Sequence, residues 1–275
     1  MSAQSKTTIS QENILAARQG LIPTREQKWL GGFGNMLRKE LGQWWGTRTW
    51  WVQTLIWVLI LNGVSTIVML TEAGSPAQRL QEVIQTFLPM AVALVGIGTV
   101  ITAQGAIVGE KQLGTAAWVM SKPASRSAFI LAKILAYTIG FWTTSIILPS
   151  IIFFITVGAL IPLPLALTSF LAGVGIALLS QLFYLALTVM LGTFYNSRGP
   201  IAGIGIGFFM TGLLLKSFIP MQVLIATPWP LPDVAAGLAL GSELPSIWPM
   251  PIAATAVLTL VMIFLALWRF EREEF

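Results

Sequence analysis

The groups best placed for chemistry lie in one stretch: Gly109-Glu110-Lys111-Gln112-Leu113-Gly114-Thr115, then Ser121-Lys122-Pro123-Ala124-Ser125-Arg126, then Lys133. It is polar and basic, and it separates two long apolar runs. One carboxylate among ammonium and guanidinium groups suits ion pairing and docking. It does not suit bond cleavage, which would need paired acids, a metal, or a nucleophile with its base. The 275 residues include no cysteine and no histidine. Thiolate chemistry, haem ligation by those residues and most zinc sites are therefore excluded. No lysine follows a glycine, so the phosphate-binding GxxxxGK[ST] loop is missing. The expectation is a chain that is not an enzyme and holds no metal or cofactor of its own.

The elements that must position this stretch are membrane spans. Hydrophobic residues make up 55% of the chain and charged ones only 10%, whereas a soluble domain carries about 25% charged residues. Six apolar segments approach the roughly 20 residues that cross a bilayer: 50–70, 83–108, 134–157, 165–191, 201–219 and 252–268. They contain no Asp, Glu, His or Arg, and Lys216 falls near an end. An ionisable group at mid-membrane costs about 2.5–3.5 kcal/mol on insertion scales, and proton- or sodium-coupled carriers commonly keep some. Their lack here argues against an ion-coupled carrier. Of the polar residues left inside, Gln104, Gln181 and Tyr184 are candidates to line a path. The alternative for each is an interhelical hydrogen bond. The glycine pairs Gly105–Gly109 and Gly203–Gly207 permit close helix contact.

Orientation follows from the basic residues. With six spans both termini share a side, and of the 16 Lys and Arg only Arg79 and Lys216 fall on the other. The positive-inside rule makes the terminal side cytoplasmic, so the net charge of +5 reflects topology rather than nucleic-acid binding. Trp44, Trp45, Trp50, Trp51, Trp268, Trp229 and Trp248 fall at span edges, where indoles anchor to the interface. Residues 1–24 read as a polar cytoplasmic tail with one short helical possibility at 11–18. Residues 25–48 read as an amphipathic helix lying in the headgroup layer. Its apolar residues include Trp29, Phe33, Leu37, Trp44 and Trp45, and its charged face is Arg38, Lys39 and Glu40. Between spans five and six, Pro228, Pro230, Pro232 and Asp233 cut an apolar stretch into pieces too short to cross. Residues 221–250 are thus expected to be a re-entrant or surface segment on the outer side.

The loop 109–133 has its own punctuation. Gly114-Thr115 opens a short helical run, 116–120, and Pro123 stops it. A short helix bounded by breakers and charge is a rigid tab for a soluble protein to grip; the plainer reading is a solvated loop. The pattern Glu110-x-x-x-Gly114-Thr115, Lys122-Pro123-x-Ser125-Arg126 and Lys133 resembles the first cytoplasmic loop of ABC-2-type permeases, the membrane subunits of ATP-binding cassette transporters. Arg38-Lys39-Glu40-Leu41 before span one, six spans, a Pro-containing outer segment and the ending Arg269-Phe270-Glu271-Arg272 follow in the same order. The resemblance covers roughly residues 30 to 275.

That resemblance implies an all-α polytopic fold of the ABC-2 or type V exporter kind, with the six-helix domain over 49–275. The compact, half-size chain suggests a bacterial origin, so the expected location is the bacterial cytoplasmic membrane. The short helix at about Lys111–Ser121 would dock on a separate ATPase, present in two copies, which supplies ATP and Mg. Its docking set would be Glu110, Lys111, Gln112, Leu113, Gly114, Thr115, Trp118, Lys122, Pro123, Ser125 and Arg126. Glu110 would close its helix in charge contact with the amphipathic helix. A second permease copy, or a related one, would complete the path, with an extracytoplasmic accessory protein as a further possible partner. The function implied is export of a hydrophobic or amphipathic substrate. The alternatives are a non-transporting subunit that passes ATPase motion to an extracytoplasmic partner, and an ATP-independent carrier.

Overall fold

A computed structural model of the chain describes residues 29–115, 125–242 and 245–273. The tail, the beginning of the 25–48 segment and the 116–120 run lie outside these residues, as do Trp118, Lys122 and Pro123. Among the described residues the regular structure is entirely helical. An interfacial helix α1 (Phe33–Trp45) precedes α2 (Thr49–Thr71). Next come α3 (Pro76–Ala103), α4 (Val108–Gln112), α5 (Arg126–Leu160), α6 (Leu167–Phe194) and α7 (Arg198–Phe218). Two short helices, α8 (Met221–Leu224) and α9 (Leu231–Leu240), lead to α10 (Pro249–Glu271). Among the described residues six helical segments are long and apolar enough to cross a membrane: α2, α3 with α4, α5, α6, α7 and α10. The molecule is a polytopic helical membrane protein.

Helix ends lie further out than hydropathy indicates. α3 begins at Pro76 because Ser75 and Gln78 form a capping box, with proline at the first turn, where its missing N–H costs nothing. α5 begins at Arg126 because the Ser125 hydroxyl accepts from the Ala128 N–H at 3.1 Å. That start adds two turns ahead of residue 134 and brings Lys133 inside a helix. α1 is shorter than expected: Gly32 is left-handed at φ 80°, so the helix starts at Phe33.

α6 is the centre of the bundle. Within its hydrophobic window 72% of residues are buried, against 22% for α7 and α10, so the outer helices present apolar faces outward. Aromatic stacks hold two levels of the core. Phe87 stacks on Phe153 at 3.9 Å and Phe129 on Phe270 at 5.2 Å. α9, at about 15 Å long, is only half the depth of a bilayer core. It packs Leu231, Ala235 and Ala239 into the core of α3 and α6. Gly173 permits this, since a Cβ there would come within 2.8 Å of the Ala235 carbonyl oxygen.

Two spans carry widened π turns, Val58–Asn62 in α2 and Trp142–Ile147 in α5. Many hydroxyls in the spans turn back on their own helix. Thr99, Thr144, Thr188, Thr255 and Thr259 each donate to the carbonyl four residues earlier at 2.7–2.8 Å. This satisfies the hydroxyl protons without a neighbouring helix; Thr99 alone of the five also meets one, accepting from Gln181.

Candidate functional site

Four charges meet where the 109–133 loop leaves and rejoins the bundle. Lys133 donates from Nζ to Glu110 Oε1 at 2.8 Å and to Glu40 Oε1 at 2.9 Å. Lys39 donates to the same Glu110 oxygen at 3.0 Å and lies 3.5 Å from Glu40 Oε1. Lys133 is 2% exposed and Glu40 5%. Burying a lone ion costs several kcal/mol, so such a group persists only where partners satisfy it. Here two ammonium groups balance two carboxylates. The cluster joins α1, the middle of α4 and the second turn of α5, so it bridges both flanks of the loop.

Glu40 therefore does not belong to a solvent-facing charged face, as its neighbours suggested. It stands three residues after Leu37 and four before Trp44, on the inward side of α1. Trp44 also departs from the expected membrane anchor. It is buried against Tyr137 and Phe141, and a Cβ at Gly140 would approach its ring to 2.3 Å. Trp45, Trp50 and Trp51 stay exposed. Trp29, Arg38 and Lys39 are exposed, and Phe33 and Leu37 half-buried. Ser125 ties the start of this segment to α5. Its hydroxyl donates to the Trp29 carbonyl at 2.6 Å and its N–H to the Gly31 carbonyl at 2.9 Å.

A second cluster holds the loop from the opposite side. Lys111 donates to Glu273 Oε1 at 2.9 Å and to the Thr193 carbonyl at 3.0 Å. Arg269 lies 2.9 Å from Glu273 Oε2. Glu271 accepts from the Ser127 hydroxyl at 2.8 Å, and its backbone carbonyl accepts from Arg126. The end of α10 thus touches both loop flanks. Gln112 donates to the Asn196 carbonyl at 2.9 Å, and Thr115 to the Glu110 carbonyl at 3.2 Å. Gly114 is left-handed at φ 68° and ends α4. Leu113, beside it, is 78% exposed. Glu273 and the Thr193 carbonyl were not singled out from sequence, and Arg269 appeared only as part of the C-terminal pattern. Lys133 appeared only as part of a loop pattern.

The three candidate path residues separate. Gln181 is fully buried, with Nε2 3.4 Å from Thr99 Oγ1. Gln104 is half-buried and donates to the Ile101 carbonyl three residues back. Tyr184 lines a cavity with Phe209 and Trp229. The glycine pairs diverge as well: Gly105 and Gly109 accommodate the Arg198 guanidinium, while Gly203 and Gly207 face open space. No group of three or more acidic residues among the described ones could hold a metal ion.

The fold and its two charge clusters define a six-span helical membrane protein with a clamped loop between its second and third spans. The chain belongs to the family described as "Protein of unknown function (DUF2705)", whose match covers residues 51–275. Glu110, Lys111, Lys133 and Glu273 lie within that match, whereas Lys39 and Glu40 precede it. No curated protein matches the chain.

Proposed function

We propose that this chain is the permease subunit of an ATP-binding cassette exporter of the ABC-2 kind, moved by a separate ATPase that grips the loop after Gly114. In this reading the loop and both termini are cytoplasmic, the membrane is the bacterial cytoplasmic membrane, and residues 221–250 form a re-entrant segment on the outer side. A second permease copy completes the path, and the cargo is hydrophobic or amphipathic.

The observation that carries the reading is the quartet of Lys39, Glu40, Glu110 and Lys133, in which Glu40 and Lys133 are buried and Lys39 stands at the open edge. A loop that only satisfied topology would need no such clamp. A loop that receives force needs roots that cannot slide, joined to elements that carry displacement into the bundle. α1 and α5 are such elements, and the Leu113 side chain stands exposed at the root as an apolar contact. Conformational work delivered in this way requires only that the ATPase bind two states of the loop differently, which suits spans without mid-membrane charge.

The test is a photo-cross-linking amino acid at Leu113 in native membranes, with adducts identified by mass spectrometry. The expected adduct is a P-loop ATPase, and its turnover in the purified complex is expected to drop in Glu110→Ala. Adducts to lipid or water alone, with no ATPase in the gently isolated complex, would overturn the proposal.

A further inference from the structure

A cavity of about 320 Å³ opens on the membrane face opposite the 109–133 loop, between α3, α6, α7 and residues 228–233, which lead into α9. Its volume is at the lower end of small-molecule sites, which run from roughly 300 to 1,000 Å³. Pro89, Met90, Ala93, Phe209 and Trp229 give it mostly apolar walls. On α7 the lining runs from Phe209 to Lys216, about 10 Å of helix. At its mouth Lys216 Nζ and Asp233 Oδ2 pair at 2.9 Å, with side chains 37% and 69% exposed. An ion pair this open to its surroundings is held only weakly. The indole N–H of Trp229 is buried and has no acceptor among the described residues.

An apolar slot capped by one positive and one negative group is complementary to an amphiphile of matching polarity. We propose that this cavity binds one acyl chain of a zwitterionic phospholipid. The lipid ammonium replaces Lys216 at Asp233, and its phosphate replaces Asp233 at Lys216. An anionic head without the ammonium would satisfy Lys216 but leave its charge against Asp233. The chain lies along Phe209 and Ala93, and the Trp229 N–H meets an ester carbonyl beneath the head. The inference holds whether the lipid is cargo or a resident, and it does not depend on an ATPase partner.

The test uses the purified full chain in maltoside with phosphatidylethanolamine carrying a diazirine at mid-chain, with adducts mapped by mass spectrometry. Adducts at Phe209 and Trp229 are expected to exceed those at the outward-facing Leu260 and Phe264 by about fivefold or more, a difference near 1 kcal/mol. Leu213→Trp, and independently Ala93→Phe, should abolish that excess while leaving the Leu260 adducts unchanged. Phosphatidylglycerol bearing the same chain should lose most of the excess, and Asp233→Lys should restore it. Even labelling of cavity and outer face, or an excess insensitive to both filling variants, would sink the cavity as a lipid site. Equal labelling by the two headgroups would sink the role of the Lys216–Asp233 pair.

Discussion

Lys133 Nζ lies 2.8 Å from Glu110 Oε1 although 23 positions separate the two residues. All of 113–124 lies between them, so the pair closes the loop at its base like a drawstring. Separating the flanks would strand an ammonium and a carboxylate in a poorly hydrated site. The flanks therefore move as one body with α1, whose Glu40 and Lys39 complete the quartet.

Lys133→Met should be the most damaging single change in this cluster. It leaves the two carboxylates with only the half-exposed Lys39 ammonium between them, and breaking a buried pair costs about 3–5 kcal/mol. Lys39→Met removes a half-exposed partner and should cost about 0–1 kcal/mol. Unfolding midpoints in denaturing detergent compare the two. Lys133→Met combined with Glu40→Gln and Glu110→Gln should recover most of the loss, because the uncompensated charge is then gone. Equal midpoints for the two single variants would contradict the quartet.

Gly140→Ala is expected to unseat α1. The new methyl would meet the Trp44 ring at 2.3 Å, and Trp44 is wedged by Tyr137 and Phe141 on the same helix. Overpacking of this kind costs about 1–3 kcal/mol. Hydrogen exchange along 36–44 should quicken while exchange in α6 stays slow. Unchanged protection of α1 would show that Trp44 has room to retreat.

The six spans were legible because they rest on long apolar runs, and the break after the fifth because it rests on prolines, signals that act locally. The charge clusters were only half legible. Glu110, Lys111 and Arg126 stood out because they interrupt apolar sequence, but their partners lie elsewhere in the chain: Glu40 is 93 positions from Lys133, and Glu273 is 162 from Lys111. Such pairings are set by which helices meet, and helical periodicity does not report that. Lys133 was hidden for another reason. Hydropathy ends a span at the first charge, whereas a helix ends at its cap, and Ser125 puts that cap eight residues earlier. Glu40 could have been read correctly from its spacing to Leu37 and Trp44; adjacency to Arg38 and Lys39 disguised it.

Lys111→Ala should loosen the C-terminal end of α10. It removes the ammonium that holds both Glu273 and the Thr193 carbonyl, and one lost charged hydrogen bond is worth about 1.5–3 kcal/mol. Glu273 keeps Arg269 within 2.9 Å, though not aligned for a hydrogen bond, so the effect should stay local. Carboxypeptidase trimming of residues past Trp268 should speed up severalfold, with little change in the global unfolding midpoint. Trimming at the parental rate would mean that Arg126 and Ser127 hold the segment unaided.

The crossing pattern has a direct chemical test, since the chain contains no native cysteine. Leu113→Cys and Ser242→Cys each introduce one thiol at an exposed position. Three of the six spanning segments, α5, α6 and α7, lie between these positions, so the thiols must face opposite sides of the membrane. The proposed orientation, which follows the positive-inside rule, makes the Ser242 side external. A membrane-impermeant maleimide added to intact cells should therefore label Ser242→Cys, and Leu113→Cys only after permeabilisation. Labelling of both thiols from outside would break the six-span arrangement itself. Labelling of Leu113→Cys alone would keep the fold but invert it, placing the clamped loop where no cytosolic ATPase could reach it.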